Sequence, residues 1–293
     1  MMKSQWSCIQ QNIGTWHGSF TQFSPEGQQL KDTPSVLTLE ETEPGKRMQL
    51  TLERTPEGGT PDIVRREFSY PGPAPYVYFF ESGAFSQGSA QWTAFAQFGA
   101  EMSIKVGDRR TRFVIMYDAN SNGTSSLKYV TLICETRGEE TTFEEPPLRT
   151  RQLIEYFKGE ASVLHADMSP TTQGYSEWLA GTTDDGKVVL DNQENGEKQG
   201  SFARSLSLSS DSPIELPFSS TKSIFLLGEI MYQLMPLPNG AYCLLPQTIE
   251  KEIAFRIEVG WLRKGGARSR LIRYYDNRGV WTDSALIADR LAS

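Results

Sequence analysis

The feature that most constrains this chain is the alternation of apolar and polar residues over many short segments. Clear cases are Val36–Glu40, Met48–Glu53 and Ile253–Val259. A period of two matches a β-strand, in which successive side chains point to opposite faces of a sheet. Turn signals such as Asn122-Gly123 and Pro238-Asn239-Gly240 separate the segments. The pattern therefore predicts an all-β protein built from half-buried antiparallel strands.

Two short segments instead have the spacing of a helix, and each of them precedes a similar strand. The helices are predicted within Gln5–Ile13 and within Leu148–Phe157. The first is followed by Trp16-His17-Gly18, and the second runs into Phe157-Lys158-Gly159. In both places an aromatic residue is followed two positions later by a glycine.

The ends of the two halves also correspond. Arg110–Asp118 matches Arg268–Asp276, and Thr131–Cys134 matches Ala285–Ala288. The offset between the halves is 141 residues at the aromatic-x-Gly element and 158 residues at the late strand. An internal duplication with loops of different length explains both values.

The number of strands in each half favours closed sheets. Each half holds about eight to ten predicted strands, and a sheet of that size tends to curl until closure removes its edges. We therefore predict two tandem antiparallel β-barrels, at residues 1–140 and 148–293, each preceded by a short helix. The segment 138–147 is rich in Glu and Pro and is the predicted linker.

The composition excludes several classes of protein. With 29 basic and 36 acidic residues the net charge is −7, which argues against a nucleic-acid partner. No stretch approaches the roughly 18 apolar residues of a membrane span. Met1–Gln11 lacks the apolar core of a signal peptide. The widely separated Cys8, Cys134 and Cys243 indicate free thiols in a reducing compartment, so we expect a cytoplasmic protein.

The sequence contains no recognisable constellation for catalysis. The two histidines, His17 and His165, have no cysteine or second histidine nearby, so no metal site is expected. The nucleophile signature Gly-x-Ser-x-Gly is absent. Gly265-Gly266 lacks the following Gly-Lys-Ser/Thr of a phosphate loop. We therefore expect a non-enzymatic protein with no cofactor.

Gly14-Thr15-Trp16 follows the first predicted helix and opens the first strand. This element resembles the Gly-x-Trp signature of lipocalins, in which the tryptophan plugs the closed end of the barrel beneath an arginine from a late strand. The resemblance implies that Trp16 is buried against Arg110 or Arg112, which share one face of their strand. A guanidinium over an aromatic face contributes about 0.5–2 kcal/mol. The corresponding residues of the second half are Phe157, Arg268 and Arg270.

Three further stretches carry a resemblance to a particular family. Trp6–Gly27, Phe79–Gly88 and Glu258–Leu262 look like a cyanobacterial and plastid family of unknown function, whose members are two-domain, calycin-like proteins. The chain is similar, more distantly, to the plant biogenesis factor required for assembly of the chloroplast ATP synthase. The resemblance implies no catalytic residue.

Besides plain structural scaffolding, the resemblance leaves two functions open. One is an assembly factor for a photosynthetic-membrane complex such as ATP synthase, with protein subunits as partners. The alternative is a carrier of a small hydrophobic or tetrapyrrole ligand, because calycin barrels include bilin lyases. An assembly factor needs a docking surface, whereas a carrier needs an open cavity.

Two sets of residues are candidates for these roles. Phe79, Phe80, Phe85 and Trp92 form either the wall of an apolar pocket or simply a filled core. A basic cluster near the C-terminus would suit an acidic partner, or it is a solvated strand face. Its members are Arg263, Lys264, Arg273 and Arg278.

Overall fold

The computed structural model describes residues 3–72, 76–138, 148, 152, 157–169, 171–182, 188–196, 223–227 and 230–291. In these ranges the chain is nearly all β, and its one α-helix is α1 (Gln5–Ile9), followed by a 3-10 turn at Gln10–Asn12. The strands are β1 (Gly14–Phe23), β2 (Gln29–Glu43), β3 (Arg47–Arg54), β4 (Asp62–Ser69), β5 (Val77–Phe79), β6 (Phe85–Gly88), β7 (Phe98–Val106), β8 (Arg109–Ala119), β9 (Ser125–Arg137), β10 (Phe157–His165), β11 (Thr172–Thr182), β12 (Val188–Gly196), β13 (Ser223–Leu227), β14 (Ile230–Pro236), β15 (Ala241–Pro246), β16 (Thr248–Ile249), β17 (Phe255–Leu262), β18 (Ala267–Tyr275) and β19 (Trp281–Leu291).

The first sheet is antiparallel, and β1 is one of its interior strands. Its order is β4-β3-β2-β1-β9-β8-β7-β6-β5, so the first strand pairs with the second and with the last. Trp16 lies opposite Leu37 of β2 and opposite Arg137 of β9. The register therefore places Trp16 beside residues that are far from it in the sequence.

The second sheet repeats this topology. Its order is β12-β11-β10-β19-β18-β17-β15-β14-β13, and its first strand, β10, again pairs with its last, β19. The prediction of an all-β chain with two tandem antiparallel lipocalin-like barrels related by duplication is confirmed. The second predicted helix, within Leu148–Phe157, lies outside the described residues except for Leu148, Gln152 and Phe157.

The local sequence explains how α1 begins and what it covers. The Ser4 hydroxyl accepts a hydrogen bond from the Ser7 amide at 3.1 Å and so caps the first turn. Trp6 and Ile9 lie three residues apart on one face of the helix, and both are buried. The Gln5 side chain accepts from the Phe79 amide at 2.7 Å and donates to its carbonyl at 2.9 Å. The helix is thereby fixed against β5.

The chain divides into two compact units. The first comprises the described residues of Met1–Ser89, Gly99–Met116 and Lys128–Glu144, and the second those of Ala90–Phe98, Tyr117–Leu127 and Glu145–Ser293. The core of the first unit surrounds Trp16 and includes Trp6, Ile9, Leu37, Leu39, Met48, Phe79 and Phe85. No helix in the described part of the chain has the length and apolar character needed to cross a membrane.

Candidate functional site

Trp16 is fully buried on the inner face of β1. Its indole Nε1 donates to the Asn12 carbonyl at 2.8 Å, so the polar edge of the ring is satisfied within the protein. The guanidinium carbon of Arg110 lies 4.2 Å from the centre of the ring. At that distance a buried cation and an aromatic face attract each other by about 0.5–2 kcal/mol.

The two candidate arginines of β8 have different aromatic partners. Arg110 contacts Trp16, whereas the guanidinium carbon of Arg112 lies 5.5 Å from the centre of the Phe20 ring. Residues two apart on a strand share a face, so both guanidinium groups point into the first unit along the row formed by Trp16 and Phe20. Both arginines are buried.

A carboxylate that the sequence analysis did not single out holds these arginines. Glu135 of β9 accepts from Nε of Arg110 at 2.7 Å, and from Nε and Nη2 of Arg112 at 3.0 and 3.1 Å. Arg112 also donates to Glu101 of β7 at 2.9 Å. Arg110, Arg112, Glu101 and Glu135 are called the first charged layer below.

Burial and charge act in opposite directions on this layer. Burial alone would raise the pKa of Glu135, but the guanidinium groups of Arg110 and Arg112 outweigh it and lower that pKa. Burial lowers the pKa of Arg110, although Glu135 opposes this effect. The two positive and two negative groups leave the layer without net charge.

A glycine makes room for the buried carboxylate. Gly18 lies opposite Glu135 in the pairing of β1 with β9. A Cβ at Gly18 would lie 2.3 Å from the Cys134 carbonyl oxygen and 2.8 Å from Cγ of Glu135. The glycine of the aromatic-x-Gly element is therefore required by the close approach of the neighbouring strand.

The second half contains the same arrangement with different residues. The guanidinium carbon of Arg268 lies 3.7 Å from the centre of the Phe157 ring. Asp289 accepts from Arg268 at 2.9 and 2.7 Å and from Arg270 at 3.2 Å, while Glu258 accepts from Arg270 at 3.4 Å. All four charged residues are at most 2% exposed. We call them the second charged layer.

A cavity of about 290 Å³ lies inside the first unit. The residues from its strands alternate along the sequence, which identifies the cavity as part of the interior of the first sheet. Two of the four predicted pocket residues, Phe79 and Phe85, line it, with their rings 5.2 Å apart. The complete lining is Ile9, Asn12, Leu37, Leu39, Leu50, Leu52, Arg54, Val64, Arg66, Phe68, Val77, Phe79, Phe85, Gln87, Arg110 and Arg112.

The other two predicted pocket residues are placed elsewhere. Phe80 is buried but does not line the cavity. Trp92 belongs to the second unit, where its indole donates to the Ser125 hydroxyl at 2.9 Å and its amide donates to the Gly279 carbonyl at 2.8 Å. The inclusion of Trp92 in one pocket with Phe79 was therefore wrong.

Four of the six polar side chains that line the cavity are arginines. Arg54 is paired with Asp62, and Arg66 is exposed. Within the described chain no acidic side chain is among the lining residues. The Nη2 group of Arg110 is buried and has no hydrogen-bond acceptor among the described residues. Arg110 and Arg112 thus belong both to the lining of the cavity and to the first charged layer.

The predicted docking patch requires two corrections. The first concerns Arg273, which is fully buried and cannot contact a partner. Its guanidinium carbon lies 4.0 Å from the centre of the Trp281 ring, and its Nε donates to the Tyr275 hydroxyl at 2.6 Å. Phe98 packs against Tyr275 at 5.1 Å and covers this outer face of β18.

The second correction concerns the extent of the patch. Arg263 and Lys264 lie in the turn before β18, and Arg278 lies in the turn after it. The nine residues of β18 separate these turns by about 30 Å at the rise of a β-strand. The remaining basic residues therefore form two separate sites: one at Arg263 and Lys264, and one at Arg278, which pairs with Asp276 at 2.9 Å.

Two further candidates, Cys243 and His165, lie on β15 and β10. Burial raises the pKa of the Cys243 thiol, which favours its unreactive form. His165 contacts the Asp283 carboxylate at 2.6 Å across the pairing of β10 with β19. Among the described residues no cluster of three or more His, Cys, Asp or Glu side chains is placed to hold a metal ion.

Two protein families match this chain, each over about one half of its length. Residues 2–140 match the family described as "Domain of unknown function (DUF3598), N-terminal". Residues 144–291 match the family described as "Biogenesis factor required for ATP synthase 1, C-terminal domain". A search of curated proteins found no match.

Solved structures give two further comparisons. A protein of unknown function from the DUF3598 family of Nostoc punctiforme is 31% identical, with a TM-score of 0.84 over 99% of this chain and 100% of that one. The S-type phycobiliprotein lyase CPES from Guillardia theta is 13% identical, with a TM-score of 0.33 over 47% of this chain and 95% of that one.

Proposed function

This chain belongs to the DUF3598 family, and on that basis we propose that it is a non-enzymatic assembly factor for ATP synthase. The observation that carries the proposal is the match of residues 144–291 to the C-terminal domain of a biogenesis factor required for ATP synthase. The proposed partners are subunits of that complex, and the proposed place of action is the cytoplasm, at the face of a photosynthetic membrane.

The buried charges support a binding role rather than catalysis. A general acid, base or nucleophile must reach a substrate. Here Glu135 and Asp289 are buried and bonded to arginines, and Cys243 is buried with a raised pKa. These groups stabilise the two barrels. In this proposal the function is therefore binding, either of a protein partner at the surface or of a ligand in the interior.

Three of the proposed docking residues remain accessible: Arg278 at its own site, and Arg263 and Lys264, which share one turn and form the docking site of this proposal. Lys264 is exposed in the turn between β17 and β18, and Arg263 is half-buried, with its guanidinium carbon 5.1 Å from the centre of the Trp261 ring. Lys46, exposed in the turn between β2 and β3, is a matched control because it too is a lysine in a hairpin turn.

The proposal is tested by capturing purified ATP synthase subunits with the full chain immobilised. We expect at least one subunit to bind, Lys264→Glu to weaken its capture and Lys46→Glu to leave it unchanged. Failure of every subunit to bind would refute the assembly role. Equal capture by wild type and Lys264→Glu would contradict the assignment of this turn as the docking site, but it would not contradict the assembly role.

A second candidate function, ligand carriage, is favoured by the cavity in the first unit. Its volume of about 290 Å³ is close to the lower end of the range for small-molecule sites, about 300–1,000 Å³. Native mass spectrometry and an absorption spectrum of protein purified from its own host test this candidate. A bound tetrapyrrole would colour the protein, whereas an unmodified mass without added ligand would argue against a resident one.

A further inference from the structure

All but one of the charged side chains that line the cavity of the first unit are balanced by a carboxylate. Arg110 and Arg112 are bonded to the two carboxylates of the first charged layer. Arg54 is paired with Asp62. Arg66, in contrast, forms no hydrogen bond or ion pair with any residue that the structure describes. The lining therefore carries one positive charge that no described residue pairs with.

Arg66 lies on β4, an edge strand of the first sheet, in an apolar part of the inner face. Val64 and Phe68, two positions before and after it, share that face and line the cavity with it. Across the pairing of β4 with β3, Arg66 lies opposite Leu50, which also lines the cavity. The Arg66 side chain is exposed. Its guanidinium is therefore accessible at the border of an apolar cavity.

The lining selects both parts of a ligand. Leucine, isoleucine, valine and phenylalanine side chains supply ten of the sixteen lining residues, and such a surface favours an apolar body. One unpaired guanidinium favours one negative charge, and it can bind a carboxylate through two parallel hydrogen bonds. The volume of about 290 Å³ lies at the lower end of the range for small-molecule sites, which favours a single aliphatic chain over a four-ring tetrapyrrole.

We propose that the cavity of the first unit binds an aliphatic monocarboxylate, with its chain among the apolar side chains and its carboxylate on Arg66. The inference rests on the second candidate function, ligand carriage, and gives that function a chemical class. Because Arg66 is exposed, the carboxylate stays in contact with water and binding does not bury its charge. The first charged layer takes no part, since its guanidinium groups already bind carboxylates.

The test compares three probes of similar size by isothermal titration calorimetry on the full chain at neutral pH: undecanoic acid, its uncharged isomer methyl decanoate, and undecylamine. The acid is then an anion and the amine a cation. We expect the acid to bind about fivefold more tightly than the ester, the gain of a well-formed accessible ion pair, and the amine to bind most weakly. Equal binding of acid and ester, or tighter binding of the amine, would overturn the assignment.

Chain length tests whether the aliphatic part enters the cavity. Each methylene group removed from water raises affinity about fourfold, so nonanoic acid should bind about 15-fold more weakly than undecanoic acid. Equal affinities of the two acids would show that the chain stays outside, and would overturn the proposal. Biliverdin, a tetrapyrrole that also carries carboxylates, tests the other source of this chemistry. Tighter binding of biliverdin than of undecanoic acid would overturn the aliphatic assignment.

Two adjacent arginines supply a matched pair of variants. Arg65 and Arg66 are both exposed on β4, but successive side chains point to opposite faces, and only Arg66 lines the cavity. Arg66→Glu should reverse the preference, so that the amine binds more tightly than the acid. Arg65→Glu makes the same change in net charge and should leave the preference for the acid unchanged. Equal effects of the two variants would show that the acid responds to net charge and would overturn the assignment to Arg66.

A second pair of variants separates this inference from the function on which it builds. Leu52→Trp fills the cavity from β3 and should abolish binding of the acid and the ester, whereas Glu53→Trp, on the opposite and exposed face, should leave it unchanged. If no probe binds the wild type, ligand carriage fails together with the inference. If acid, ester and amine bind equally, carriage survives and only the carboxylate assignment is lost. Neither result bears on the assembly role, which depends on capture of ATP synthase subunits.

Discussion

The guanidinium carbon of Arg268 lies 3.7 Å from the centre of the Phe157 ring, the relationship that Arg110 has with Trp16 at 4.2 Å. The two halves have therefore kept the geometry of a cation over an aromatic face while changing the aromatic residue. Phenylalanine has no N–H to satisfy, so the second half needs no counterpart to the bond from Trp16 to Asn12.

The duplication extends from the aromatic residues to the carboxylates and the glycines. Gly18 lies opposite Glu135, and Gly159 lies opposite Asp289. In each half the missing side chain on the first strand leaves room for a carboxylate on the last strand, and that carboxylate binds the arginine over the aromatic ring. These positions depend on one another, which explains why they are repeated as a set.

Removal of the Trp16 side chain should strongly destabilise the chain. We expect Trp16→Ala to lower the free energy of unfolding by about 3–5 kcal/mol, because it leaves a cavity in a fully buried position and removes the contact with Arg110. His17→Ala, on the other face of β1, should cost about 0.5 kcal/mol or less. Urea denaturation of both variants measures the difference, and equal losses would contradict the assignment of Trp16 as the plug.

The glycines opposite the carboxylates should tolerate no side chain. A Cβ at Gly159 would lie 2.2 Å from the Ala288 carbonyl oxygen and 2.5 Å from Cβ of Asp289. We expect Gly18→Ala and Gly159→Ala each to cost about 1–3 kcal/mol, the usual range for overpacking. Gly72→Ala is the control, since among the described residues, apart from its neighbours in the chain, no atom lies within 4 Å of the Cβ it adds. Thermal unfolding measures the loss of stability in each variant. Equal losses in all three would show that the close approach of the strands is unimportant.

The sequence was sufficient to predict the fold and the aromatic residue that lies beneath an arginine in each half. Alternation identified the strands. The resemblance to the lipocalin signature placed Trp16 beneath an arginine, and the duplication extended this arrangement to Phe157. The comparison of Thr131–Cys134 with Ala285–Ala288 stopped one residue short of Glu135 and Asp289. Extending it by one position would have aligned the two carboxylates, so the signal for them was present.

The errors in the placement of Arg273 and Trp92 have a different physical cause. Alternation assigns a side chain to a face of a strand, but it does not say what covers that face. Arg273 lies on the face of β18 opposite Arg268 and Arg270, and Trp281 and Tyr275 cover it. Sequence proximity likewise suggested one pocket for Phe79 and Trp92, although Trp92 packs within the second unit. Both outcomes depend on contacts between segments far apart in the sequence.

The buried thiols should resist alkylation in the native protein. Burial raises the pKa of Cys8 and of Cys243, so little thiolate is available at either position. We expect iodoacetamide at neutral pH to modify Cys134, which is partly exposed, before the other two. Peptide mass spectrometry with and without urea measures this order. Rapid native labelling of Cys243 would contradict its burial.

The first charged layer should make stability depend on pH. The pKa of Glu135 is lowered in the folded protein, because its arginine partners outweigh the effect of burial. A depressed carboxyl pKa stabilises the fold above the unfolded value of about 4.3, and this stabilisation is lost as the pH falls through the lower folded value. Glu135→Gln should cost about 3–5 kcal/mol at pH 7, since it leaves buried arginines without their partner.

The cost of Glu135→Gln should therefore shrink as the pH falls below about 4.3. Below that value the unfolded wild-type chain takes up a proton at Glu135, which lowers the free energy of unfolding of the wild type, whereas glutamine does not titrate. Glu53→Gln removes the same charge from an exposed position and should change stability by about 0.5 kcal/mol or less at every pH. Urea denaturation of wild type and both variants at several pH values between 7 and 3 makes the comparison. A cost of Glu135→Gln that stays constant over this range would show that the carboxylate acts by packing and not by its charge.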